Sequence, residues 1–231
     1  FAFKQFTVYH HKCAMKVGTD GCLLGAWAHC KLRPQHILDI GAGTGLMSLM
    51  LAQRFPQAKI EAVEIGEECA TQCRENISNS PWTDRIATHN VAIQNFEHSA
   101  IFDLIVCNPP FFSNSFASPN QARHTARHDD SLSVDQLFAS VKRLLSANGV
   151  FSLIIPTDRI SDFATASQKH SLFIKRKTWV KATPTKAAKR VLLSFGYLKA
   201  ESEENEMFIE TSRGNYSEDF RNLLADFYLY L

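Results

Sequence analysis

At 231 residues, with 45% hydrophobic and 21% charged residues, the chain has the balance of a soluble globular protein with a sizeable core. No apolar run approaches the length needed to span a bilayer and no charged-apolar-small leader pattern is visible, so a membrane protein is excluded and a cytoplasmic location is expected. The formal net charge is +2, but Lys175, Arg176, Lys177, Lys181, Lys186, Lys189 and Arg190 follow one another without an intervening acid, so the charge is local.

Taken in chain order, Thr19 and Asp20 offer the start of a helix. Ile37 to Ile40 reads as a first strand, followed by the glycine loop Gly41 to Gly45 and a helix through Leu46, Leu49, Met50 and Ala52. Lys59 to Ile65 is a second strand, Glu67 to Ser78 a helix, Arg85 to Asn90 a third strand and Phe102 to Cys107 a fourth. Ser113 to Asp130 is a long polar loop whose length suggests mobility. Val134 to Leu145 is a helix closed by Asn148-Gly149, and Val150 to Ile155 a fifth strand ended by Pro156. After a helix near Asp162 to Lys169, the segments Leu172 to Lys181 and Arg190 to Leu198 read as an antiparallel hairpin. Glu201 to Glu206 is an acidic turn, Met207 to Thr211 a short strand, and Ser217 opens a last helix with Glu218 and Asp219 in its first turn.

Ile- and Val-rich runs alternating with helices are the sequence form of a parallel sheet covered on both faces. The expectation is one α/β domain over residues 1–231, with a seven-stranded, mostly parallel sheet and an antiparallel C-terminal hairpin. Cys13, Cys22, Cys30, Cys69, Cys73 and Cys107 lack C-x-x-C spacing and read as reduced core thiols. His10, His11 and Cys13 are too close together for a tetrahedral site and have no second ligand pair, so no metal is expected.

Two motifs carry chemistry. In Asp39-Ile40-Gly41-Ala42-Gly43-Thr44-Gly45 the glycines stand where a strand turns into a helix, so a ligand approaches bare backbone near a positive helix end. A nicotinamide-binding loop is the rival, but the spacing is G-x-G-x-G, and Glu64 at the end of the second strand can accept both hydroxyls of a ribose. Asn108-Pro109-Pro110-Phe111 follows the fourth strand, at the carboxyl edge where open α/β sheets bind ligands. The Asn108 side-chain oxygen and the Pro109 carbonyl suit the two hydrogens of a planar amine, while Phe111 stacks on its ring. Those acceptors localise a delocalised lone pair toward a methyl donor without a strong base. A base entering such a pocket must be unpaired or flipped, which favours an RNA loop. Arg123, Arg127, Lys175, Lys177, Lys186, Lys189 and Arg190 are the candidate phosphate contacts, with balance of nearby acids as the alternative role.

The segment Met15-Lys16-Val17-Gly18-Thr19-Asp20-Gly21, continued by Leu23 to Ala28, closely resembles the N-terminal signature of bacterial transfer-RNA adenine-N6 methyltransferases acting on the valine acceptor. Ile37 to Gly45, Asn108 to Phe111, Arg190 to Leu193 and Asn215 to Glu218 extend the likeness in the same order over nearly the whole chain. The resemblance implies a Rossmann-like class I fold and methyl transfer from S-adenosylmethionine to N6 of adenine 37, beside the anticodon, by a monomer. It adds Lys16, Gly18, Thr19 and Ala92 to Asp39, Gly41, Gly43, Gly45, Glu64 and Asn108 as cofactor contacts. Residues 1–30 would lie on the cofactor and substrate side, and residues 172–231 on the RNA side. Two positions depart from the family pattern. Ala92 stands where relatives carry an acid for the cofactor's adenine, which implies weaker binding, and Phe111 stands where many have Tyr. Ribosomal RNA, DNA or a protein glutamine as the amine, a nicotinamide oxidoreductase, and a non-catalytic RNA-binding homologue remain alternatives.

Overall fold

The structure is a computed structural model and describes residues 1–109 and 132–231. Its chain order begins α1 (Thr19–Trp27), β1 (His36–Ile40), α2 (Leu46–Arg54), β2 (Lys59–Glu64), α3 (Glu67–Ser78), β3 (Ile86–Asn90) and β4 (Phe102–Cys107). It continues with α4 (Val134–Leu144), β5 (Leu145–Pro156), α5 (Ile160–Lys169), β6 (Phe173–Lys181), β7 (Arg190–Gly196), β8 (Glu203–Phe208), the short β9 (Glu210–Ser212) and β10 (Asn215–Tyr216), and α6 (Glu218–Leu224). Pro110, Phe111, Arg123, Arg127 and the loop from Ser113 to Asp130 lie outside the described residues.

The main sheet has the order β3-β2-β1-β4-β5-β7-β6-β8, with β3 to β5 parallel and β7 antiparallel to both of its neighbours. The chain winds outward from β1 to β3, then returns to β4 on the other side of β1. Strand order therefore reverses between β1 and β4, which opens a crevice at their carboxyl ends. The glycine loop follows β1 and Asn108 follows β4, and Ile40 lies opposite Cys107 in the ladder. Two motifs far apart in sequence thus stand on neighbouring strands, ~4.8 Å apart.

Each face of the sheet has its own core. One gathers α1, α2, α3, α6 and the N-terminal aromatics Phe3 and Phe6; the other gathers α4, α5 and Phe96 around Phe138, Phe151 and Phe195. Cys22, Cys30, Cys73 and Cys107 fill these cores as small hydrophobes, and burial pushes the thiols of Cys22 and Cys30 up to about 11. Helix α1 is buried over Gly21 to Trp27, and its glycines decide how closely it packs. A Cβ on Gly21 would come within 3.0 Å of Leu46, and one on Gly25 within 2.8 Å of the Met50 sulfur. At its other end the Trp27 indole donates to Thr178 Oγ1 at 3.0 Å, and the Arg176 guanidinium lies over the Trp27 ring at 4.5 Å, fastening α1 to β6.

The α/β class and the antiparallel hairpin stand as expected from the sequence, but among the described residues the sheet has eight strands and not seven. The acidic stretch read as a turn is largely β8, which pairs parallel with β6 from Arg176–Glu203 to Lys181–Phe208. Its acids suit an edge: Lys177 and Trp179 both donate to Glu204, and Lys181 to Glu206. Asn148-Gly149 does not close α4 either. That helix ends at Leu144, β5 begins at once, and the two residues form an irregularity where the β4 partners jump from Leu145 to Val150. Gly149 is required there because a Cβ would meet the Phe102 carbonyl at 2.9 Å. Ser217 caps α6 as expected, accepting from the Phe220 N–H at 3.1 Å.

Candidate active site

The glycine loop is held from below and open above. Gly41 and Ala42 both donate to the Val63 carbonyl, at 2.8 and 3.1 Å, and Gly45 donates to Ala42 at 2.8 Å. Gly41, Gly43 and Gly45 have φ of +70°, +55° and +79°, a region that side chains disfavour. Gly45 is needed for space as well, since a Cβ would sit 2.9 Å from the Cys73 sulfur. In front of Gly41 a Cβ would meet nothing within 4 Å, and in front of Gly43 only the Gly41 carbonyl at 3.9 Å. These two glycines line an open cradle that any side chain would fill.

Two carboxylates flank the cradle. Glu64 accepts from the Gly43 N–H at 2.9 Å and from the Gly66 N–H at 2.8 Å, one on each oxygen. Those bonds fix its orientation, and each oxygen keeps a second lone pair for a pair of hydroxyls. Asp39 is fully buried, and its Oδ2 accepts from the Ser48 N–H at 3.0 Å and the Ser48 hydroxyl at 2.7 Å in the first turn of α2. Its Oδ1 is buried with no partner among the described residues. Burial pushes the Asp39 carboxyl up to about 7; the Ser48 bonds oppose that shift, and nearby Glu64 adds to it.

Asn108 is half-buried at the end of β4, and its side-chain Oδ1 is another buried acceptor without a partner among the described residues. Pro109 behind it is buried. Among the described residues four buried side-chain atoms lack a partner, and two of them, on Asp39 in β1 and on Asn108 just past the end of β4, stand on the two sides of the crevice. Buried acceptors are ordinarily satisfied, so a pair of orphans here marks a place for donors from a ligand.

Ala92 follows β3 and leads into the short turn Ile93–Asn95. Nearby Asn90 has committed its amide nitrogen to the Glu64 and Ile65 carbonyls at 2.9 and 3.0 Å, so only its oxygen is available to stand in for the missing acid. Lys16, Gly18 and Thr19 are exposed, with Gly18 and not Thr19 at the N-cap of α1. Asp20 in the first turn accepts from Arg190 Nε at 2.8 Å, which ties the start of α1 to the start of β7.

That ion pair changes the picture of the basic stretch. Arg190 is engaged with Asp20, Lys177 with Glu204, and Lys175 Nζ with the Leu198 carbonyl at 3.4 Å. Arg190 pairs with Pro156 at the carboxyl end of β5, so the loop between β6 and β7 overlooks the crevice. Lys186 and Lys189 are exposed there and form no salt bridge among the described residues. Lys175 stands near the far end of the hairpin, ~20 Å away along a seven-residue strand. One run of sequence charge is therefore split between two edges of the sheet.

The sequence reading missed Ser48, which holds Asp39, and Asn76, which is fully buried on α3. An Asn four residues after Gln72 on the same helix was the available signal, because two polar residues on one stripe of a helix otherwise apolar at Ala70, Cys73 and Ile77 ask for partners.

Comparison with known proteins places this geometry. Residues 22–159 match the methyltransferase small domain family. The chain is 47% identical over 229 residues to the tRNA1(Val) (adenine(37)-N6)-methyltransferase of Phocaeicola vulgatus, covering 99% of this chain and 97% of the relative. It is 44% identical to the enzyme of that name from Pseudoalteromonas translucida, over 99% and 98% of the two chains. Among solved structures, a predicted O-methyltransferase from Agrobacterium tumefaciens superposes with a TM-score of 0.69 over 90% of this chain and 96% of its own, at 16% identity. A glycopeptide N-methyltransferase complexed with S-adenosyl-L-methionine gives a TM-score of 0.52 over 71% and 87% of the two chains, at 11% identity. With the glycine cradle, the strand-end acids and Asn108 gathered at one crevice, and with relatives this similar over their full length, the chain belongs to the tRNA1(Val) (adenine(37)-N6)-methyltransferase family.

Proposed function

We propose that the protein transfers a methyl group from S-adenosylmethionine to N6 of adenine 37, beside the anticodon of tRNA1(Val). The observation that carries this reading is the unpartnered Asn108 Oδ1, buried at the strand end next to the glycine cradle. The relatives' name supplies the nucleotide and the transfer RNA.

The residues present fit the methyl donor. Gly41 and Gly43 leave the open space it requires, Glu64 offers two oriented oxygens to the ribose hydroxyls, and the orphaned Asp39 Oδ1 suits the ammonium of its amino-acid end. Lys16, Gly18 and Thr19 stand on the N-terminal segment beside the loop, and the backbone at Ala92 borders the place of the adenine ring. When bound, the donor supplies an electrophilic methyl on a sulfonium. The chain's part is to aim the nucleophile. Asn108 Oδ1 and the Pro109 carbonyl accept the two N6 hydrogens, turning the nitrogen lone pair out of the ring toward the methyl group. Asn108 Oδ1 is itself buried, and a buried acceptor acts more strongly than one in water. Pro110 and Phe111 complete the tetrad, with Phe111 as the stacking face. Lys186 and Lys189, with Arg123 and Arg127, grip phosphates of the anticodon stem-loop, and Arg190 works by holding the loop's base on Asp20.

The test is incubation with methyl-labelled S-adenosylmethionine and, separately, bulk transfer RNA, ribosomal RNA or peptide release factor, followed by digestion. N6-methyladenosine at position 37 of the valine acceptor is the expected product. Label in ribosomal RNA or in protein glutamine replaces this substrate with another.

A further inference from the structure

Among the described residues, the Asn76 side chain is what joins the glycine loop by hydrogen bonds to the segment that begins at Tyr9. Its Nδ2 donates to the Thr44 carbonyl at 2.8 Å and to the Tyr9 carbonyl at 2.8 Å, while its Oδ1 accepts from the Tyr9 N–H at 2.9 Å. The residue is fully buried, and its amide is used on both sides. Thr44 is the last residue before Gly45, so its carbonyl direction belongs to the peptide that sets the φ of +79° at Gly45. Tyr9 heads the stretch that runs to α1 through Lys16 and Gly18.

That stretch is docked along α3 at successive points. The Lys12 N–H donates to Gln72 Oε1 at 3.3 Å, the Lys12 ammonium pairs with Glu75, and Gln72 Nε2 donates to Glu75 at 3.2 Å. The stretch is closed on itself by the Val17 N–H, which donates to His10 Nδ1 at 3.3 Å. Of these contacts only the one at Asn76 also reaches the glycine loop.

We infer that Asn76 is a positioning residue for the methyl donor: one buried amide sets the Thr44 peptide and the 9–18 segment relative to each other, so that the cradle and the segment beside it are ordered together. The inference rests on the functional reading above. A lone glycine turn has several accessible peptide orientations. An amide that donates to the carbonyl before Gly45 selects one of them, and its second and third bonds extend that choice to the N-terminal segment. Asn76 touches no substrate and takes no part in the transfer itself.

The sharpest variant is Asn76→Asp, which keeps the shape and the Tyr9 N–H acceptor but removes both donors. Titration calorimetry with S-adenosylhomocysteine should show a dissociation constant raised on the order of tenfold, the equivalent of about one lost hydrogen bond. Turnover should recover when the donor is saturating, and the KM for transfer RNA should hold. Hydrogen exchange on the unaltered protein gives a second readout that needs no variant. Adding S-adenosylhomocysteine should slow exchange in residues 8–12 together with the glycine loop. Unchanged affinity in Asn76→Asp overturns the inference, as does protection confined to the loop or a parallel loss of turnover and transfer-RNA affinity. Unaltered protein that takes no S-adenosylhomocysteine overturns the functional reading, and this inference with it.

Discussion

The cofactor side and the substrate side of the crevice are built on opposite principles. Around the glycine loop most polar groups are already engaged: both Glu64 oxygens hold backbone N–H groups, Asp39 Oδ2 holds Ser48, and Thr44 holds Asn76. At the end of β4 the Asn108 oxygen is left bare, and on the loop above β7 Lys186 and Lys189 are left exposed. A small, invariant donor molecule suits a site wired in advance, because little order has to be imposed when it arrives. A large polyanion suits scattered charges on a rim, where approach is steered and local geometry is forgiving.

The contrast breaks most visibly at Asn108. Asn108→Ala should lower turnover roughly a hundredfold or more, the scale on which removing one oriented hydrogen-bond group acts, while S-adenosylhomocysteine binding by calorimetry stays near its original value. Equal loss of both would merge the two sides into one site.

Asp39 sharpens the same contrast through pH. Burial raises its carboxyl to about 7, so the native state retains a proton that the unfolded chain releases above the ordinary carboxylate value. The stabilising contribution is therefore full at low pH and is lost as pH rises toward and through about 7. The cost of carrying that buried charge at pH 8 is on the order of 4 kcal/mol. Asp39→Asn should melt higher than the original protein at pH 8 and differ less at pH 5, by calorimetric scanning. It should also bind S-adenosylhomocysteine more weakly, and the gain in affinity expected of the original protein as Asp39 ionises between pH 6 and 7.5 should be absent. A variant that is both more stable and fully binding would remove Asp39 from the cofactor site.

The smallest effect belongs to the rim. Lys186→Glu with Lys189→Glu should weaken transfer-RNA binding and reduce the slope of log affinity against log salt by about 1 to 2, with cofactor affinity unchanged. Lys175→Glu at the opposite edge should leave that slope alone. A slope that responds to Lys175 and not to Lys186 and Lys189 would move the RNA to the other edge.

What could be read from the sequence follows from how local each feature is. The parallel strands, the glycine loop, Glu64 and Asn108 rest on patterns within a few residues, and the structure brings them to one crevice. The β8 strand was hidden because Glu203, Glu204 and Glu206 argue against a strand until their partners on β6 are known. The irregularity at Gly149 was hidden because its reason is the Phe102 carbonyl, on another strand. Asn76 and the Asp20–Arg190 pair depend on residues 32 to 170 positions away. Charge counted along the chain likewise merged lysines that a seven-residue strand holds apart.

The close seating of α1 on α2 through Gly21 and Gly25 makes a lever of the N-terminal helix. Its start is held to Arg190 and its end to Thr178, so a methyl group added at Gly25, 2.8 Å from the Met50 sulfur, would load the α1–α2 seat between those two attachments. Such a load would bear on Arg190 at the base of the lysine-bearing loop, so variation at a glycine that faces Met50 can act on the surface proposed to meet the RNA.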